Sequence, residues 1–213
     1  MLLTRTSAPA DLISLADLKA HLRIDHAYDD TALDIYRAVA IQALDGRDGY
    51  LRRALVQQTW VWELPLFPYG TELHFPLPPL QSVTSIEYYD VDNALQTFAS
   101  SNYIVHANAH VGYVKLTPSG AWPSTYERDN AVKVTFVAGY GAASTVPNPI
   151  KWAALLLAGR LYANRGDGDD SKQADGDTAM QETERRLLAP YRLQEFVSSN
   201  EQYWKQARAY PHR

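Results

Sequence analysis

Pro147-Asn148-Pro149-Ile150-Lys151-Trp152-Ala153-Ala154-Leu155-Leu156-Leu157-Ala158-Gly159-Arg160-Leu161-Tyr162-Ala163-Asn164-Arg165 reads as one buried helix. Pro147 and Pro149 stop whatever precedes it. Asn148 is the expected N-cap, Pro149 the first helical residue, and Asn164 followed by Gly166 the stop. Ile150, Ala153, Ala154, Leu157 and Leu161 fall on one stripe, which Trp152, Leu155 and Leu156 widen nearly all the way round. A helix so broadly apolar needs neighbours on several sides. It is too short to span a membrane: Trp152 to Ala163 is interrupted by Arg160, and a span needs about 20 predominantly apolar residues.

Working back toward the N-terminus, the period changes from helical to alternating. Val132, Val134 and Phe136 alternate with Lys133 and Thr135 and predict a half-buried strand. Further strands are expected at Val61-Trp62, 71–75, 83–89, 95–98, 103–106 and 113–116, with Tyr69-Gly70 read as a hairpin turn between the first two. Turns at Asp92-Asn93 and Pro118-Ser119-Gly120 separate others. Short strands at this spacing suggest a small antiparallel sandwich or barrel-like sheet.

Ahead of them, Ser14 with Asp17 three residues on forms a capping-box pattern for a short helix carrying Leu15, Leu18 and Leu22. Asp29 or Asp30 caps a longer helix with Leu33, Tyr36, Ala40 and Ala43 or Leu44 at helical spacing, faltering near Gly46 and Gly49. Residues 1–12 read as a flexible or partner-bound lead. After the long helix, 166–177 is Gly/Asp-rich and expected to be a mobile loop, and 182–189 is helical up to Pro190.

The predicted class is therefore α+β: a helical scaffold with an inserted small antiparallel β domain and a C-terminal extended arm. Its parts are an N-terminal helical part (1–56), the β insert (57–146), the core helix (147–165), and an acidic loop with a terminal helix and arm (166–213).

Composition narrows the function. The chain has no Cys, which removes disulfides, thiolate catalysis and Cys-based zinc sites and fits a reducing cytoplasm. Met1 to Thr6 leads into polar and Pro-containing residues, so no signal peptide is expected. The net charge of −4 is matched by residues 166–177 alone, which hold five Asp and one Lys, so no basic stripe for phosphates is present. Residues 178–213 are mildly basic, with six Lys or Arg against four Glu, and carry Tyr191, Leu193, Phe196, Val197, Tyr203, Trp204 and Tyr210. An apolar-studded arm of this kind has somewhere to dock, on a partner or on its own domain.

Candidate chemistry is thin. His106 and His110 share a four-residue spacing but have no third ligand, so a loop is the better reading. The cluster Asp167, Asp169, Asp170 invites calcium, yet an EF-hand loop wants Gly and Glu where Lys172 and Thr178 stand. Asp25, His26, Asp29 and Asp30 read as caps and turn formers with no nucleophile nearby. Gly139-Tyr140-Gly141 lacks the rest of a phosphate loop and reads as a turn leaving a strand. No enzyme, cofactor or metal site is expected.

Several stretches, in order, resemble the head–tail connector (adaptor) proteins of tailed bacteriophages and gene transfer agents. They are Ser14-Leu15-Ala16-Asp17-Leu18-Lys19-Ala20-His21-Leu22 with the Asp29-Asp30 helix, Arg53-Ala54-Leu55-Val56-Gln57-Gln58-Thr59-Trp60, and Pro79-Leu80-Gln81-Ser82-Val83-Thr84-Ser85-Ile86-Glu87-Tyr88-Tyr89-Asp90. Val137-Ala138-Gly139-Tyr140-Gly141, Val146-Pro147 and Ile150-Lys151-Trp152-Ala153 running to Arg165 follow. Residues 166–213 match less clearly, apart from Leu187-Leu188-Ala189-Pro190-Tyr191-Arg192.

The resemblance implies a ring, typically of twelve copies, between the portal and the stopper or tail-terminator, at the head–tail junction of a virion assembled in the bacterial cytoplasm. Genome DNA would pass through its channel without specific binding, and no membrane is involved. On that basis Leu33, Tyr36, Ala40, Ile150, Trp152, Leu156 and Leu161 are expected to supply scaffold and inter-subunit contacts. Tyr191, Phe196, Tyr203 and Trp204 are expected to dock on the portal or a neighbouring subunit. The alternatives are a tail-completion or stopper-type protein further from the portal, and a soluble binding or hydrolytic domain.

Overall fold

The computed structural model describes residues 2–107, 111–164 and 182–193. The fold is α+β, and its contacts divide it into two compact units, one built on sheets (residues 2–9 and 57–141) and one helical (10–56, 142–164 and 182–193).

The sheet unit holds eight strands: β1 (Leu2–Arg5), β2 (Gln58–Leu64), β3 (Glu72–His74), β4 (Leu80–Tyr89), β5 (Leu95–Thr97), β6 (Tyr103–His106), β7 (Tyr113–Leu116) and β8 (Val132–Ala138). Five form an antiparallel sheet in the order β1-β2-β8-β4-β5, and three form another in the order β3-β7-β6. The alternation in β8 sets the first sheet: Val132, Val134, Phe136 and Ala138 are buried, while Lys133 faces outward. Its register lays Val134 between Trp62 of β2 and Ile86 of β4, and all three are buried. Each such side chain contributes about 2 kcal/mol relative to exposure. Phe75, just past β3, packs on Trp62 at 5.9 Å and on Phe136 at 4.8 Å, so the two sheets share one core.

Two expectations are corrected here. Tyr69-Gly70 does not close a hairpin, because β2 pairs with β1 and β8 while β3 pairs with β7. Chain order suggested neighbours that the sheet does not make. The lead at 1–12, expected to be flexible or partner-bound, begins with an edge strand of this chain's own sheet, Leu2–Arg5 in register with Trp60–Glu63. Too short and too polar to show a period, it takes its conformation from the strand beside it.

The helical unit contains α1 (Leu15–Leu22), α2 (Asp30–Leu44), α3 (Asn148–Ala163) and α4 (Glu182–Leu188). Ser14 caps α1 with both arms of the capping box, and Arg23 ends it in the left-handed region at φ 58°. Leu18, Leu33, Ala40, Leu157 and Ala158 form the core of the unit. At Gly159, α1 comes close: an added Cβ would sit 3.2 Å from Leu22 Cδ2.

Two caps differ from expectation. The N-cap of α3 is Pro147, whose carbonyl accepts from the Ile150 and Lys151 amides, and Asn148 is already helical. Asp29 sits at the N-cap of α2 but makes no side-chain cap bond there, because its carboxylate accepts from the Tyr162 hydroxyl.

Candidate functional site

The helical unit exposes two apolar features. On α2, Leu33, Arg37, Ala40 and Leu44 are buried on one face. At 100° per residue, Ile35 and Val39 lie on the opposite face, one turn apart, with 58% and 46% of their surface exposed. An amphipathic helix normally keeps that face polar.

The second feature is the first half of α3. Trp152 is 48% exposed and stands edge-on to the His21 ring at 5.1 Å. Asn148, Pro149, Lys151, Trp152 and Leu155 line a shallow groove of about 460 Å³ whose accessible surface is chiefly carbon.

On the core side of α2, away from Ile35 and Val39, Arg37 donates to Asp34 at 2.6 Å, to Asp11 at 2.7 Å and to the Ile13 carbonyl at 2.7 Å. Burial works against this guanidinium's charge, but the hydrogen bonds to Asp11 and Asp34 outweigh it and push its pKa above the ordinary arginine value. Two carboxylates share one guanidinium there. Beside the groove stands Lys151, and the first turn of α3 carries no acidic side chain to offset the positive end of its dipole. Asp17 on α1 feels Lys151, yet its carboxylate is engaged by the Ser14 hydroxyl and amide, which hold its pKa below the usual carboxylate range.

The residues expected at subunit contacts separate by burial. Leu33, Ala40 and Ile150 are fully buried in the unit itself and act as scaffold. Tyr36, half-buried, meets the Tyr162 ring edge-on at 6.3 Å. Leu156 and Leu161 are half-buried, and Trp152 alone of the set is openly exposed. Ile35 and Val39 were not singled out by the sequence reading. Their four-residue spacing opposite Leu33, Ala40 and Leu44 was the available signal, hidden because Arg37 occupies the core face where an apolar residue was expected.

Of the expected docking arm, Tyr191 is half-buried in a single 3-10 turn after α4 (Ala189–Tyr191). Phe196, Tyr203 and Trp204 lie outside the described residues. The chain's path just before them is fixed: the Leu193 amide donates to the Leu51 carbonyl at 3.1 Å, and the Arg192 guanidinium lies over the Tyr50 ring at 4.5 Å.

Several of the candidate chemical groups have structural partners. His106 stacks on Tyr113 at 4.6 Å, while His110 and the cluster Asp167, Asp169, Asp170 lie outside the described residues. Asp30 pairs with Lys19 at 2.6 Å and Asp29 accepts from Tyr162. Gly139 and Gly141 take φ values of 122° and 110° in the turn that leaves β8, where their carbonyls accept from Gln81 and the Gln57 amide. Among the described residues no group of three His, Cys, Asp or Glu could hold a metal ion, and no helix is long and apolar enough to cross a membrane.

No protein-family model matches the chain, and no curated protein does. Solved structures do share its fold. A chain of a structure described as "Neck of empty GTA particle computed with C6 symmetry" superposes with a TM-score of 0.73 at 23% identity, covering 93% of this chain and 99% of that one. One from "Virion of native gene transfer agent (GTA) particle" gives 0.71 at 22% identity, with the same coverage of 93% and 99%. One from "Neck of native GTA particle computed with C12 symmetry" gives 0.70 at 22%, again covering 93% and 99%.

Proposed function

We propose that this chain is a structural, non-catalytic protein of the neck of a phage-like particle, a head–tail connector of the adaptor type. Twelve copies form a ring beneath the portal, join the DNA-filled head to the stopper or tail-terminator, and continue the channel through which the genome leaves. Assembly takes place in the bacterial host cytoplasm, and the finished ring sits at the head–tail junction of the virion.

The observation that carries this reading is the extent of the likeness: almost the whole of this chain and almost the whole of a chain from a gene transfer agent neck share one fold. The two apolar features on the helical unit support it, since a ring subunit must cover surface on both sides. Charge supports it too. With a net charge of −4 the chain lacks the cationic excess that would grip phosphates, each neutralised phosphate adding affinity and slowing passage.

The test is co-expression of the full chain with the portal protein encoded in the same gene cluster, followed by native mass measurement and electron microscopy. A ring coaxial with the portal on its tail side is expected. A ring found only on tail tubes, never on portal, would instead make this a stopper or tail-completion protein. A chain that stays monomeric and never joins either would return the question to a soluble binding or hydrolytic domain. Removing residues 194–213 should abolish attachment to the portal while circular dichroism stays that of the folded chain; undiminished attachment would remove the docking role from Phe196, Tyr203 and Trp204.

A further inference from the structure

We draw no further inference here: the strongest candidate, the shallow apolar groove on the first half of α3 at Trp152, carries none because nothing in the structure shows what covers it.

Discussion

The hydroxyl of Tyr162, near the end of α3, donates to the Asp29 carboxylate at the head of α2 over 2.7 Å, across 133 positions of sequence. The whole sheet insert lies between these two residues in the chain, so this bond belongs to the closure of the helical unit around its insertion points. Tyr162→Phe should lower the unfolding free energy of that unit by about 1 kcal/mol, the net worth of one hydrogen bond to a charged group at a half-buried site. Asp29→Ala should cost a similar amount, and the double variant no more than either alone. Additive losses in urea titrations would mean that the two groups act separately.

The Ser14–Asp17 capping box makes a prediction with a sign in pH. Ser14→Ala should cost about 1 kcal/mol at neutral pH. The Ser14 hydroxyl, then its amide, hold the Asp17 carboxyl below the usual carboxylate range. A carboxyl with a lowered folded pKa contributes stability above its unfolded pKa and loses it as the pH falls through the folded value. The difference between the wild type and Asp17→Asn should thus be largest near neutrality and shrink below about pH 4. A difference that grows on acidification would contradict the assignment.

Those two carboxylates illustrate what could be read in advance. Ser14 and Asp17 are three residues apart, so local pattern alone identified their bond. Asp29 looked like a cap by the same local logic, but a tyrosine from another helix claimed its carboxylate, and no window of sequence contains both. The same limit explains the sheets. Val132 to Val137 announced itself by alternation, whereas β3's true partner, β7, lies some forty residues away and is identified only by pairing. The candidate surface was half legible: Trp152 stood out as an aromatic on the most apolar helix, while Ile35 and Val39 were concealed by a charged residue on the core side.

Gly112 carries a constraint that composition could not reveal. A Cβ built there would lie 2.2 Å from the Leu80 Cβ, and its carbonyl accepts from the Phe75 amide at 2.8 Å, so the backbone has no easy retreat. Gly112→Ala should destabilise the sheet unit by about 2–3 kcal/mol, the cost of overpacking a close contact. Leu80→Ala in the same chain should recover little of that loss, because alanine keeps the Cβ that stands in the way. Thermal melts of the two single variants and the pair would show it, and a neutral Gly112→Ala would refute the close approach.

Arg37 occupies the core face of α2 at 9% exposure, and its planar fork reaches Asp34, Asp11 and the Ile13 carbonyl together. Arg37→Ala should cost about 2–3 kcal/mol: the Ile13 carbonyl loses a charged donor, discounted because both carboxylates can turn to water. Arg37→Lys should rescue little, since an ammonium cannot span three acceptors set at these angles. Recovery of most of the stability by lysine would show that charge alone, not geometry, sustains the cluster.

Glu184 on α4 is buried to 3% exposure and pairs with Arg160 on α3. Leu188, one turn on and fully buried, is the apolar half of the same attachment. A seven-residue helix has too few internal bonds to persist by itself, so its helicity depends on this docking. Glu184→Gln keeps the shape but removes the charge that offsets the half-buried guanidinium, and α4 should open locally by about 2–3 kcal/mol. Hydrogen exchange should then rise at 183–188 and at Leu193, whose amide bond to Leu51 lies just beyond. Residues 33–44 of α2 should keep their protection. Uniform loss across both helices would mean that α4 is part of the global core rather than a separately released element, and an unchanged α4 would mean that its attachment does not depend on the Glu184 charge.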